Sequence, residues 1–354
     1  MTAVLPVRTL SEGALAFDHE KVIAATGERS GLSIIVAVHS TILGPALGGC
    51  RLWSYPTWAD GLADALRLSR GMTSKNALAG LDAGGGKAVI MLPEGTVLDG
   101  QARRDAFLDL GDIVESLGGS YRTAEDVATN SLDMAVIAER TAHVVGLPTE
   151  AGGQGDPAEY TARGVYAGLR ETLRRSTGSA QVSGRRITVA GLGQVGSRLA
   201  ARLADEGAVL TVTDFNPAKA QFAAELGATW VAPDEAHRVA ADVFMPAGVG
   251  GMLSDDVIAE LAAVAICGPA NNQLAEQGAE MRLRARGILY APDYLVNAGG
   301  VIRLGDEESG DEAVLARIDA IEQTLALVFD EAEASGVTTV EAADRLVAER
   351  LRSA

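Results

Sequence analysis

The sequence predicts an α/β protein of two domains whose second half is a doubly wound parallel sheet. Three observations carry that expectation. The chain has 354 residues, too many for one ordinary hydrophobic core. Apolar β-rich runs alternate with amphipathic stretches along most of it. Residues 186–214 set a strand, a Gly-rich turn, a helix and a second strand ending in an acid in unbroken order. The boundaries read from the pattern are residues 1–150 for a first domain and 151–310 for a second, nucleotide-binding domain. The helices of 311–354 are expected to pack back on the first.

Composition narrows the function. The hydrophobic fraction is 47% and the charged fraction 22%, as in a folded globular chain. With 47 acids against 30 bases the net charge is −17, which disfavours the phosphate neutralisation that nucleic-acid binding needs. Cys50 and Cys267 stand alone and far apart, so no disulfide framework or metal site is expected. No apolar run is long enough to span a membrane, and the N-terminus lacks a basic segment followed by an apolar one. These features point to a soluble, cytoplasmic protein.

The first elements alternate. Ser33–His39 is an apolar β-rich strand. Thr41–Gly49 holds three glycines and a proline, which argues against a regular element there. Pro56 and Thr57 open a helix carrying Leu62, Leu66 and Leu68, which ends near Gly71 or shortly after Lys75. Gly84-Gly85-Gly86 reads as a turn before a short strand, Lys87–Leu92. Arg103–Leu117 is amphipathic, with Phe107, Leu110, Val114 and Leu117 on one face. Ser120–Asn130 is a strand end running into a loop. There Asp126 has two readings: a carboxylate at the carboxyl end of a strand, where ligands gather in open α/β sheets, or the cap of a helix over Val127–Arg140. Residues 147–157, rich in Gly and Pro, are the best hinge candidate.

Lysine usage singles out one stretch. The chain has four lysines, Lys21, Lys75, Lys87 and Lys219, against 26 arginines, and two of them flank Asn76–Gly86. An ammonium can lose its proton when desolvated, whereas a guanidinium effectively cannot. A run of glycines beside such a lysine lets ligand and backbone approach closely. The plainer reading is a Gly-rich turn with Lys75 on a solvated helix end.

The second half opens with a helix over Ala158–Arg175. Then comes a fingerprint: strand Ile187–Ala190, Gly191-Leu-Gly193-Gln194-Val195-Gly196, a helix over Ser197–Glu206, and strand Val209–Thr213 ending at Asp214. Gly191 serves the tight turn, Gly193 the approach of a pyrophosphate, and Gly196 the packing of helix on strand. The helix N-terminus favours the anion. Asp214 would accept ribose hydroxyls and repel a 2′-phosphate, so the expected cofactor is NAD. Strands at 229–231, 242–245, 264–267 and 288–290 complete the six of a Rossmann domain. The loops after the fourth and fifth strands, Pro246–Gly251 and Gly268–Asn272, face the cofactor side. Asn271 and Asn272 offer neutral donors and acceptors, or simply turn-forming residues. Residues 311–352 read as two helices, Glu312–Ser335 and Val340–Arg352.

Taken together, LGPALGG, GMTSKNALAGLDAGGGKAVI, TAEDV, GLGQVG, GPANNQL and YAPDYLVNAGGVI resemble the Glu/Leu/Phe/Val dehydrogenase family, closest to its leucine and valine members, over nearly the whole chain. The resemblance implies a substrate domain with a mixed sheet beside the Rossmann domain, homo-oligomeric assembly, and NAD-dependent interconversion of an L-amino acid with its 2-oxo acid and ammonium. It implies that Lys75 holds the substrate carboxylate in its charged form. It makes Lys87, with a lowered pKa, the base toward water and Asp126 the group that exchanges protons with the substrate nitrogen. Asn271 and Asn297 would orient substrate and nicotinamide, Thr161 and Ala247 would lie near the nicotinamide, and Leu47, Gly48, Val301 and Leu304 would line the side-chain pocket.

Glutamate-specific members carry a lysine where this chain has Leu47 and a serine where it has Leu304. Two leucines would penalise a buried second carboxylate, so the expected substrate is aliphatic, valine or leucine. A phenylalanine-preferring enzyme and a non-catalytic binder of cofactor or amino acid are the alternatives. The chain departs from the usual pattern at Ser74, at Pro246-Ala-Gly-Val249 and at Arg303, the last a charge beside pocket positions.

Overall fold

The computed structural model describes residues 18–153, 156–306 and 309–354, which form two sheets. Residues 1–17 and part of the expected hinge, residues 154–155, lie outside the described set. The first sheet holds β1 (Lys21–Thr26), β2 (Ser33–Ser40), β3 (Ala46–Ser54), β4 (Gly84–Leu92) and β5 (Tyr121–Glu125) in the order β1-β2-β4-β3-β5. It is mixed: β1–β2 and β2–β4 pair antiparallel, β4–β3 and β3–β5 parallel. Alternate side chains serve opposite faces. Ile35, Ala37 and Val89 pack under α1 (Trp58–Leu78) with Leu62, Ala65 and Leu66. Ile34, Val36, Ala88 and Ile90 pack under α2 (Gly100–Ser116) and α3 (Ser131–Ala138) with Phe107, Leu110, Met134 and Ile137.

Several sequence expectations are corrected here. The stretch around Leu47-Gly48-Gly49 is not irregular but part of β3, a strand with neighbours on both sides. Its glycines are demanded by packing: a Cβ on Gly48 would lie 1.9 Å from the Gly86 carbonyl oxygen, and one on Gly49 2.5 Å from that of Glu125. Gly84-Gly85-Gly86 is likewise strand, the start of β4, and not a turn. The helix opened by Thr57, which caps it reciprocally with Asp60, takes the later of its two expected ends, running past Lys75 to Leu78. Asp126 is not a helix cap. The helix starts later, at Ser131, and Asn130 caps it in a box with Asp133.

Gly85 fixes how α1 meets β4. A Cβ there would lie 2.1 Å from the Thr73 nitrogen and 2.5 Å from the Ser69 carbonyl, both helix backbone. Gly85→Ala should therefore cost about 3 kcal/mol of stability or prevent folding, because the helix must back away. A urea midpoint unchanged from wild type would refute this. Gly71→Ala on the same helix meets nothing within 4 Å and should be neutral or slightly stabilising, by up to about 1 kcal/mol.

The second unit begins with α4 (Pro157–Thr177) and continues as β6 (Arg186–Ala190), α5 (Gln194–Asp205), β7 (Val209–Thr213), α6 (Lys219–Glu225), β8 (Thr229–Trp230), β9 (Ala241–Pro246), α7 (Asp255–Glu260), β10 (Ala263–Ile266), α8 (Ala279–Ala285) and β11 (Leu289–Tyr290). The six strands are parallel, in the order β11-β10-β9-β6-β7-β8. That is the doubly wound Rossmann order, with its switch point between β6 and β9. The return segment forms two short helices, α9 (Asp293–Val296) and α10 (Gly299–Gly305). The tail is three helices, not two: α11 (Asp311–Asp319), α12 (Ile321–Ser335) and α13 (Thr339–Ser353), the first pair divided at Ala320. α11 and α12 lie along α4, where Arg163 pairs with Asp319 at 2.6 Å and Gly164 abuts Ile321. α13 reaches the first unit, where Arg350 donates to the Ala77 carbonyl and, at 2.9 Å, to that of Leu81.

Candidate active site

The first sheet and α1 build one wall of a cleft. Gly85, Lys87 and Val89 share the face of β4 that meets α1, so the Lys87 amine is carried inward on a regular strand and is only 5% exposed. Asp126 follows the last residue of β5. Its Oδ2 lies 2.9 Å from Lys87 Nζ and accepts from Arg51 Nε at 3.0 Å. Burial opposes ionisation of Asp126, but the Lys87 ammonium and the Arg51 guanidinium outweigh it and hold the carboxyl down at about 2. Arg51, on β3, is gripped in turn by Asp64 of α1 at 2.9 Å. Asp64 also accepts from Tyr55 Oη and Arg67, each at 2.7 Å.

Lys75 sits near the end of α1, facing the second unit. Its Nζ is 3.5 Å from Asn271 Oδ1, which also accepts from Asn297 Nδ2 at 2.8 Å. A second contact crosses the same gap, from Arg67 to Asn272 Oδ1 at 2.9 Å. Part of the Lys75 side chain is open to the cleft, yet enough protein surrounds its amine that burial pushes the pKa down to about 8, against the pull of Asp293 and with a push from Lys87. Burial thus disfavours the ammonium form of the lysine expected to be fully charged. Asp293 is itself held up by burial while accepting from the Gln273 and Tyr294 backbone amides.

Beside these groups the wall is apolar. Leu47 is fully buried. A Cβ on Gly305 would lie 3.2 Å from Leu47 and 3.0 Å from Leu81, and one on Gly146 3.4 Å from Leu304, so β3 and α10 close on one another here. Gly48 lies between Gly86 and Met72, while Val301 and Leu304 pack half-buried on the core. Arg303, also on α10, sets its guanidinium over the Tyr160 ring at 5.4 Å and pairs with Asp311 at 3.1 Å.

The Gly-rich turn is assembled at the switch point. Gly191 has φ +119°, and its Cβ would strike Ala247 at 2.6 Å. On Gly196 a Cβ would meet the Gly191 carbonyl at 2.1 Å. Gly193 caps α5, and nothing lies within 4 Å of where its Cβ would be, so the space beside the free amides of Gln194 and Val195 is open. Asp214, just past β7, accepts from Leu192 N at 2.7 Å and Asn216 N at 2.8 Å. Thr161 Oγ1 donates to Pro157 O at 3.0 Å, close to Gly300. The residue types and openness of this turn fit a dinucleotide pyrophosphate.

The structure therefore gathers Lys75, Lys87, Asp126, Asn271 and Asn297 at one cleft, with the Gly191–Gly196 turn on the second unit. Sequence reasoning missed Arg51, Asp64 and Asp293. Asp293 had a signal, an acid inside the apolar run Tyr290–Val296. Arg51 had none, because its partners lie 75 and 13 residues away.

Comparison with known proteins shows which family the chain resembles over its length. Residues 16–143 match the Glu/Leu/Phe/Val dehydrogenase dimerisation domain, and residues 217–350 match Glutamate/Leucine/Phenylalanine/Valine dehydrogenase. Leucine dehydrogenase of Thermoactinomyces intermedius is 40% identical over 342 residues, covering 95% of this chain and 91% of that protein. Valine dehydrogenase of Streptomyces virginiae is 42% identical over 342 residues, covering 95% and 94%. The crystal structure of L-tryptophan dehydrogenase from Nostoc punctiforme superposes with a TM-score of 0.82 at 37% identity, covering 95% of this chain and 96% of that one.

Proposed function

The chain belongs to the Glu/Leu/Phe/Val dehydrogenase family, amino-acid oxidoreductases that use a nicotinamide cofactor, and from that premise we propose that it catalyses NAD-dependent oxidative deamination of an aliphatic L-amino acid of the valine or leucine type, and the reverse reductive amination. The observation that carries the proposal is the pairing of Lys87 with Asp126 at 2.9 Å in the cleft that Lys75 also faces.

In this reading the Gly191-Gly193-Gly196 turn, with the amides of Gln194 and Val195, holds the pyrophosphate, and Asp214 takes the ribose hydroxyls. A 2′-phosphate would meet the Asp214 carboxylate, which favours NAD over NADP. Thr161, Ala247 and Asn271 flank the nicotinamide. The bound cofactor supplies acceptance of a hydride from the substrate α-carbon. The chain's own residues supply the rest. Lys75 fixes the α-carboxylate as a point charge, oriented with Asn271 and Asn297. Asp126 takes a proton from the substrate ammonium and returns it to the departing nitrogen. Lys87, when neutral, removes a proton from the water that adds to the α-carbon, releases it to solvent, and takes the second proton from the same oxygen as the C–N bond breaks and the 2-oxo group forms. Leu47, Gly48, Val301 and Leu304 receive the side chain, and their lack of polar partners disfavours glutamate. One methylene is worth about 1–3 kcal/mol in such a pocket, which leaves valine, leucine and phenylalanine to be ranked by assay.

The proposal also places the enzyme in the cytoplasm as a homo-oligomer. The match of residues 16–143 to a dimerisation domain supports assembly, and sedimentation as a single 36.5 kDa protomer would refute it. No described helix is long and apolar enough to cross a membrane.

The test is reduced-nicotinamide absorbance with NAD and a panel of L-amino acids at alkaline pH. Valine or leucine should turn over, with glutamate slower by roughly a hundredfold or more. Cofactor binding without turnover of any amino acid, in either direction, would make the chain a non-catalytic binder. Glutamate preferred would overturn the substrate class.

A further inference from the structure

We infer that Arg51 is a positioning residue for the reaction: it holds Asp126 as an oriented carboxylate beside Lys87, and is itself held by Asp64. The inference rests on the dehydrogenase reading above and concerns a residue that acts through Asp126.

The geometry is specific. Arg51 Nε and Lys87 Nζ both address Oδ2 of Asp126, at 3.0 and 2.9 Å. One guanidinium thus spans two carboxylates, with Nε on Asp126 and Nη1 on Asp64 at 2.9 Å. Its planar fork sets the direction from which each is approached, which an ammonium on a flexible stem cannot do. Asp64 is fastened by Tyr55 and Arg67, so Arg51 has little freedom to turn away. The side chains are shielded, with Arg51 17%, Asp64 13% and Asp126 22% exposed. In such surroundings charges act strongly on their neighbours' protonation.

The consequence is electrostatic as well as geometric. Asp126 must exchange a proton with a nitrogen, and its readiness to do so depends on the cations beside it. An opposite charge within about 4–6 Å lowers a carboxyl pKa by roughly 1–3 units, so removing Arg51 raises that of Asp126. Any other titrating group beside the lost cation moves the same way. Removing the Asp64 anion acts with the opposite sign. A residue that merely fills space would give neither displacement.

The experiment uses the full chain with NAD and the best amino acid of the panel. It compares kcat, KM and the titration of the Asp126 carboxyl, followed by the carbon resonance of labelled aspartate, for wild type, Arg51→Gln, Arg51→Lys and Asp64→Asn. For Arg51→Gln, kcat should fall at least about thirtyfold with amino-acid KM within about threefold, because Lys75 still binds the carboxylate, and the Asp126 carboxyl should titrate about 1 pH unit above its wild-type position. Arg51→Lys restores the charge and should return that titration toward wild type while keeping part of the kcat loss, since the fork is gone. Asp64→Asn should move the titration down, and it decides the matter if Arg51→Gln does not fold. The inference is overturned if Arg51→Gln retains kcat within threefold of wild type, if its rate falls with the Asp126 titration in place, or if Asp64→Asn changes neither rate nor titration. Failure of wild type to turn over any amino acid would instead overturn the dehydrogenase reading itself, and this inference with it.

Discussion

Lys87→Ala should lower kcat for amino-acid oxidation by at least about a thousandfold while leaving NAD binding close to wild type. The proposal gives this amine the proton of the attacking water, and general base catalysis is worth about 10²–10⁴ in rate. The cofactor turn at Gly191–Gly196 is on the other unit, so its affinity is an internal control for folding. Asp126 would keep its Arg51 partner at 3.0 Å and so would not become an unpaired buried charge. Lys87→Arg separates two explanations. If the site needs only a positive charge at this position, arginine should preserve much of the rate. If it needs a group that can shed its proton, arginine should be as inactive as alanine, because a guanidinium does not deprotonate in proteins. Stopped turnover in both variants, with calorimetric NAD affinity unchanged, is the expected pattern. An alanine variant retaining a tenth of the wild-type kcat would remove Lys87 from the chemistry.

How legible these features are in the sequence follows from the range of the interactions that create them. The segment Arg186–Asp214 could be read because each of its requirements is local: a strand, a turn that only glycine can make, a helix and an acid at the next strand end. The first sheet is different. β3 contains Gly48-Gly49 after Pro45, a composition that locally argues for a loop, and becomes a strand because Gly86 and Glu125 carbonyls occupy the space side chains would need. The Gly84–Gly86 run reads as a turn for the same reason, yet it is strand because α1 lies directly on Gly85. Asp126 illustrates competition between local signals. Asp is a good cap, but Asn130 with Asp133 three residues later makes the reciprocal box, which leaves the Asp126 side chain to Lys87 and Arg51. Arg51 became visible only through tertiary contacts, and so did the difference in environment between the two lysines.

That difference yields a second large effect. Lys75 in the free protein is pushed down to about 8, chiefly by burial. A bound carboxylate would favour its charged form and raise that pKa, so binding above pH 8 must take up a proton. The sign follows: carboxylate affinity is level below the free-protein value, where Lys75 is already charged, and falls up to tenfold per pH unit above it until the bound-state pKa is reached. Between pH 8 and pH 10 the loss should approach about a hundredfold. A 2-oxo acid is the suitable probe, because it carries no ammonium of its own to titrate; with NADH present and ammonium absent it binds without reacting. Calorimetry in two buffers of different ionisation enthalpy should show about one proton taken up per 2-oxo acid at pH 9, and none below pH 7. The chain's four lysines make an independent reading possible. In protein labelled at lysine Cε, the Lys75 resonance should titrate near pH 8, be absent from Lys75→Gln, and move to higher pH when the 2-oxo acid is added. Lys75→Gln should also abolish the proton uptake and raise the 2-oxo acid dissociation constant at pH 7 by about a hundredfold, the loss of a charge-assisted contact in a shielded site. Affinity independent of pH from 7 to 10 would show that Lys75 does not hold the carboxylate, and would shift that role to the neutral donors of Asn271 and Asn297.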